Sequence, residues 1–472
     1  MWIRPTSPQP ERLPRPGVPG RGITIAVRLD TMRLIGHRWS ALPDGVTIHP
    51  VMKGEAIGRT TCCVVGGGPA GMVLGLLLAR AGIHVTVLEK HADFLRDFRG
   101  DTVHASTLNL LDELGLGEQF AALPQRRIEL LQAQFGDTPV TLGDVRRIPG
   151  RHRYIALVPQ WDLLNLLASA AAEEPTFTLR MSTEALGVVR DTGGRVSGVR
   201  YRGPDGVTGT LEADLVVACD GRGSAMRAAA GKRARSFGVP MDVWWFRVPR
   251  VAGDPEGLVG RFGSGGGAVL IDRGDYWQCA FLIPKGADAK LRTQGLDVLH
   301  RTLADFVPWL ADRVTAITSW DEVKLLEVRL DRLRTWWTDG LLCIGDAAHA
   351  MSPAGGVGIN LAVQDAVAAA RILAGPLRRG AARRAVLAKV QARRWLPTAL
   401  TQLGQRGMQA AVLGPALAGR FAIRQDRLPL PLRLLQRFPA LQGVPGRAVA
   451  IGVLPEHAPE WARRSPSPTG TS

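Results

Sequence analysis

Lysine is scarce in this chain: seven of the 59 basic residues, against 52 arginines. No uninterrupted apolar run reaches the roughly 18 residues that a membrane-spanning helix needs. The N-terminus has basic residues without the apolar stretch of a secretory signal. Five cysteines are present, Cys62, Cys63, Cys219, Cys279 and Cys343. No pair of them has metal-ligand or redox spacing, so they read as small buried hydrophobes of a reducing compartment, which predicts a cytoplasmic protein without a metal site. The net charge of +17 comes without any RNA- or DNA-binding signature, so no nucleic-acid partner is expected. No carboxylate pair and no Ser/His/Asp set stands out as hydrolytic.

What is present suits a globular protein. The 472 residues are 46% hydrophobic and 21% charged, enough to bury a large core spread over roughly three domains, or two with extensions. Residues 1–57, rich in Pro, Arg and Gly at their start, are expected to be disordered or a mis-called leader, with Met52 an alternative start. The folded body is expected to divide into 58–238, 239–332, a return at 333–380 and a helical region at 381–454. Residues 455–472 read as a frayed tail.

Three motifs carry chemistry. The first, Val64-Val65-Gly66-Gly67-Gly68-Pro69-Ala70-Gly71, is a G-x-G-x-x-G that follows a predicted strand (60–65) and opens a predicted helix (69–81). In that setting Gly66 serves the tight turn, Gly68 lets backbone N–H groups approach a pyrophosphate, and Gly71 lets the helix pack on the strand. The anion then sits on a helix N-terminus. Glu89 ends the second predicted strand, about 20 residues on, where an acid would bind an unphosphorylated ribose.

The second motif is an apolar strand ending in Asp220-Gly221-Arg222-Gly223-Ser224, with Arg227 following. The third is Leu341-Leu-Cys-Ile-Gly345-Asp346-Ala347-Ala348-His349, then Pro353, Gly355, Gly356, Gly358 and Asn360. A buried strand delivers Asp346 to its carboxyl end, where it can accept hydrogen bonds from a polyol. A glycine-rich loop then feeds a predicted helix (359–374), whose N-terminus favours negative charge.

These motifs, in this order, resemble the three fingerprints of the FAD-dependent aromatic-ring monooxygenases of the para-hydroxybenzoate hydroxylase type (group A), over about 59–377. The resemblance implies a doubly wound, Rossmann-like α/β FAD domain interleaved with a mainly β substrate domain, then a helical C-terminal region. It also implies non-covalent FAD, NAD(P)H as co-substrate, and hydroxylation of an aromatic or polyketide-like small molecule through a flavin C4a-hydroperoxide. Residue by residue, it gives Gly66, Gly68 and Gly71 the pyrophosphate and Glu89 the adenosine ribose. Arg99 and Gln160 would contact FAD, Asp220 and Gly221 would serve FAD and NAD(P)H, and Gly345 and Asp346 would hold the ribityl chain. Pro353, Gly355, Gly356, Gly358 and Asn360 would lie beside the isoalloxazine ring.

Flavin halogenases resemble the same family, but their W-x-W-x-I-P motif is reduced here to Cys279-Ala-Phe281-Leu-Ile283-Pro284, without either tryptophan. Reductases of the geranylgeranyl type share the fold and stand as the alternative reading. A basic anion- or membrane-surface binder is a third class, and peripheral membrane contact is compatible with the enzyme reading. His349 reads as a packing or hydrogen-bonding residue. Trp244-Trp245 and Trp336-Trp337 read equally as pocket or core.

Overall fold

A computed structural model of the chain describes residues 58–95, 102–136, 138–263, 265–380, 382–420 and 430–465, with two short strands, Ile23–Thr24 and Val46–Thr47. Those two strands pair in parallel within an N-terminal unit ending at Ala56. The rest of the leader expected over 1–57 lies outside the described residues.

From Ile57 onward the chain forms one unit built on two large sheets. The first begins with β1 (Arg59–Val65), whose Cys62, Cys63 and Val64 are fully sealed from solvent. An apolar run buried on both faces is what a central parallel strand requires. Helix α1 (Pro69–Arg80) follows, opened by a proline in its first turn, and returns the chain to β2 (Val85–Leu88), parallel to β1. Strand β3 (Thr102–Val103) leads into α2 (Ala105–Glu113). Strands β4 (Leu130–Phe135) and β5 (Thr138–Asp144) leave for the second sheet, and α3 (Gln160–Ala172) brings the chain back.

Next come β6 (Phe177–Arg180), β7 (Glu184–Arg190), β8 (Val196–Arg202) and β9 (Thr208–Ala218). The first two of these, β6 and β7, are separate strands although only three residues apart. Ser182 adopts a left-handed φ of 51° between them, so β6 joins β2 in parallel while β7 turns back against β8. The sheet order is β6-β2-β1-β9-β8-β7. The last residues of β9 pair in parallel with a late strand, β15 (Leu341–Cys343).

The second sheet holds β10 (Met241–Pro249), β11 (Leu258–Gly263), β12 (Gly266–Asp272), β13 (Tyr276–Pro284) and β14 (Lys324–Leu326). Its order is β14-β10-β13-β12-β11-β4-β5. Strands β11 and β12 form a hairpin whose last paired residues are Gly263 and Gly266. Strand alternation separates the paired tryptophans. Trp244 faces one core with Phe246 and Val248 and donates Nε1–H to Asp288 Oδ1 at 2.6 Å, whereas Trp245 faces another with Met241 and Val243. Helix α5 (Leu296–Phe306) covers the Trp244 face. Trp336 is core, its ring 4.8 Å from that of His349.

The long apolar helix α6 (Val357–Arg378) would by length and composition cross a membrane, but it is largely buried against α1, α2 and α7 (Arg384–Met408). Helices α8 (Leu430–Arg437) and α9 (Gly443–Ala450) then dock on β5.

The frayed tail expected over 455–472 is corrected for its first part. Ala458 N donates to Glu113 Oε2 at 2.6 Å, and Ala462 O accepts from Arg80 Nη1 at 2.9 Å. The cause is Glu456, whose fully buried carboxylate meets Arg371, Arg393 and Arg394 and so anchors the segment. Residues 466–472 lie outside the described residues.

Candidate active site

The parallel strands β1, β9 and β15 stand side by side, so the three motifs emerge together at their carboxyl ends. This is where open α/β sheets bind ligands.

The glycine turn between β1 and α1 is shaped by sterics. A Cβ on Gly71 would stand 1.9 Å from Gly66 O, and one on Gly66, at φ 105°, would stand 2.5 Å from Cys219 O. A Cβ on Gly68, by contrast, would meet nothing within 4 Å. Helix and strand therefore close on each other at Gly66 and Gly71 while Gly68 borders open space. The first turn of α1 has no side-chain cap, so its N–H groups are left for an anion. Glu89 is nearly buried, and it accepts from Gly67 N at 2.9 Å and His91 N at 3.0 Å.

At the second motif, burial pushes the Asp220 carboxyl up, partly offset by hydrogen bonds from Ser224 Oγ (2.5 Å) and Met226 N (3.1 Å). These bonds hold the start of a short helix, α4 (Ala225–Ala229). Arg227 then ties this motif to the third, donating to Ala347 O at 3.2 Å and Arg222 O at 2.6 Å. Arg222 Nη2 lies 3.6 Å from Asp346 Oδ2, both side chains about 30% exposed. Asp346 thus combines a fixed backbone with a carboxylate open to a ligand.

The loop that leads into α6 is clamped from two elements, β3 and α7. Gly355 and Gly356 take left-handed φ of 81° and 64°, and Gly356 caps α6 without any side-chain bond. Thr102 Oγ1 donates to Gly356 O at 3.1 Å. From α7, Gln405 donates to Ser352 O and Ala354 O, each at 2.9 Å, and accepts from Ser352 N at 3.1 Å. Gln402 donates to Asp331 O at 2.8 Å and Ala350 O at 3.2 Å. Beside the loop, His104 heads α2 and its Nδ1–H meets Val449 O at 2.7 Å. Burial lowers its pKa and keeps it neutral.

Beneath the Gly-Asp turn lies a buried ionic cluster. Asp365 Oδ2 accepts from Gly345 N at 3.0 Å and from His349 Nε2–H at 2.6 Å. Burial alone would raise the Asp365 carboxyl, but His349 and Arg394 outweigh it and hold it below the usual range. His349 therefore has the hydrogen-bonding part read for it, with no path to a ligand implied.

Of the residues singled out in the sequence, Gly66, Gly68, Gly71, Glu89, Asp220, Gly221, Gly345 and Asp346 converge at the strand ends. Gln160 opens α3, directly after the strand Ile155–Leu157 that pairs with β3. Asn360 turns inward, its Oδ1 accepting from Ser106 Oγ at 2.6 Å and Thr107 Oγ1 at 3.0 Å, which locks α2 to α6. Arg99 lies outside the described residues. The sequence reading missed Gln402, Gln405, Asp365, Arg394 and Glu456. For the four on α6 and α7 the signal was a polar residue on an otherwise apolar helix face; Glu456, outside any helix, gave none.

An open glycine cradle, uncapped helix N-termini and a partly exposed acid at a strand end fit a dinucleotide flavin. Together with the doubly wound sheet they define an FAD-binding flavoprotein. The chain belongs to the FAD-binding domain family, whose model matches residues 59–403. It is similar to the 6-methylpretetramide 4-monooxygenase of Streptomyces rimosus, at 36% identity over 74% of this chain and 83% of that one. It is 31% identical to the 12-dehydrotetracycline 5-monooxygenase/anhydrotetracycline 6-monooxygenase of Streptomyces rimosus subsp. rimosus, over 66% of this chain and 61% of that one. Among solved structures, PqsL of P. aeruginosa in complex with 2-aminobenzoylacetate superimposes with a TM-score of 0.65 at 24% identity, covering 77% of this chain and 99% of that one. The chain is an FAD-dependent oxidoreductase of the monooxygenase type.

Proposed function

We propose that this enzyme hydroxylates a polycyclic, polyketide-like aromatic ring, with NAD(P)H as reductant and O₂ as oxidant, in the cytoplasm. The observation that carries the reading is the side-by-side emergence of the three motif turns from β1, β9 and β15. The 6-methylpretetramide 4-monooxygenase, as the relative is named, supports the substrate class.

Bound FAD, once reduced, supplies the oxygen activation; the protein binds, orients and shields. Gly68 and the α1 N-terminus would hold the pyrophosphate, Glu89 the adenosine ribose, and Asp346 the ribityl hydroxyls. The uncapped start of α6 at Gly356 offers partial positive charge to the ring system. On the substrate side, the apolar face of Met241, Val243, Trp245, Ala280 and Leu282 excludes water. Trp245 Nε1–H is buried without a hydrogen-bond partner among the described residues, so it is a donor for a ring oxygen.

The test is aerobic turnover of a panel of aromatic polyketides with NADPH and NADH, read by mass spectrometry under ¹⁸O₂. Product gaining one labelled oxygen is expected. Reduction of an alkene without oxygen incorporation would replace this reading with the reductase one.

A further inference from the structure

The positive charge of the chain is concentrated. Between residues 366 and 455 there are 15 basic residues and one acid, Asp426, so this stretch holds most of the +17. Within it, no acid falls between Asp426 and Glu456, while Arg427, Arg433, Arg437 and Arg447 do.

Helix α8 has two apolar stripes. Its inner side is committed: Leu432 packs on Ala133, Phe135 and Val140 of the β4–β5 hairpin, and Gln436 Nε2 donates to Thr141 O at 2.8 Å. Positions 430 and 434 lie two residues out of phase with 432 and 436, about 200° around the helix, and position 438 directly follows its last residue. They carry Leu430, Leu434 and Phe438, exposed to 60%, 42% and 52%. Leu441 and Val444, in the turn after α8 and the start of α9, are exposed to 44% and 69%. Arg433, Arg437 and Arg447 are exposed alongside, and none pairs with a carboxylate among the described residues. A folding core would not place leucine and phenylalanine opposite the face it uses, and a contiguous exposed stripe marks an interaction surface.

We propose that this face, from Leu430 to Arg447, docks on an acidic lipid surface. Apolar side chains projecting among unpaired arginines are the pattern of a helix lying in a membrane interface. A second copy of the chain is the weaker occupant, because a twofold contact sets the same patch against itself and would bring arginine against arginine.

The experiment is sedimentation of the flavin-loaded full chain with vesicles of phosphatidylcholine alone and of phosphatidylcholine mixed with phosphatidylglycerol. Binding only to the mixed vesicles, weakened by high salt, is expected. R433Q and R437Q should each lower the binding constant about fivefold, and the pair L434S/F438S should abolish binding. All four substitutions lie on the surface, so the bound-flavin spectrum should be unchanged. Three results would each overturn the proposal: protein staying in the supernatant with the mixed vesicles, equal binding to neutral vesicles, or a lipid-independent dimer dissociated by L434S/F438S.

Discussion

Arg394 Nε lies 2.9 Å from Asp365 Oδ1, with both side chains sealed from water, and the other oxygen of that carboxylate receives the N–H of Gly345. Helix α7 thereby holds the residue immediately before Asp346. Arg394→Met leaves a buried carboxylate short of a partner and should cost about 3–5 kcal/mol of unfolding free energy. Urea denaturation of the variant and the parent measures it. An undiminished midpoint would show that the cluster contributes little.

The phosphate loop separates two effects that a single glycine substitution would confound. Gly68→Ala faces open space, so the apoprotein should melt as the parent does while FAD affinity falls. Gly71→Ala collides with Gly66 O, and should lower both the melting temperature and flavin content. Differential scanning calorimetry with and without added FAD reads the two apart.

Gln405→Ala removes three hydrogen bonds to Ser352 and Ala354 and leaves Ser352 N buried and unpaired. A loss of about 1–3 kcal/mol is expected, with weaker FAD retention on gel filtration. Gln405→Glu, which keeps the acceptor for Ser352 N but loses the donor to two carbonyls, should fall no closer to the parent than the alanine variant.

Acid stability tests the second sheet. Burial works against the Asp254 carboxylate, yet Arg313 and Trp277 hydrogen bonds prevail and bring its pKa from 3.8 down to about 2. A depressed carboxylate contributes stability that is full above its unfolded value and lost as pH falls through the folded one. The parent should therefore lose part of its stability between pH 3.8 and about 2. Asp254→Asn should be weaker at neutral pH and flatter across that window. Urea midpoints at a series of pH values check it.

Much of the cofactor half was legible because each motif is local. A strand, a glycine turn and a helix start within about a dozen residues declare themselves by sterics at Gly66 and Gly71 and by burial at β15. What holds those turns in place was not legible. Gln402 and Gln405 reach the loop from α7, and Glu456 N donates to Gln364 Oε1 from the far end of the chain. Such pairings have no spacing rule. The tail was misread for that reason, since Pro455-Glu456-His457 has the composition of a loose end and only its arginine partners make it structure. The tryptophan pairs were undecided because alternation puts neighbours on opposite faces, and sequence does not say which face is which.

The distance between Arg80 and the Ala462 carbonyl it binds, 382 residues along the chain, has a kinetic meaning. The parallel strands that carry the three turns are themselves joined by long crossovers. Folds dominated by such remote pairings close slowly. The phosphate loop can form early, but the Gly345 turn has its full support only when Arg394 and Glu456 have been made and seated. Flavin capture is then one of the last events in this protein's biogenesis, and cells short of FAD should accumulate a chain whose C-terminal segment is already seated and which lacks only its cofactor.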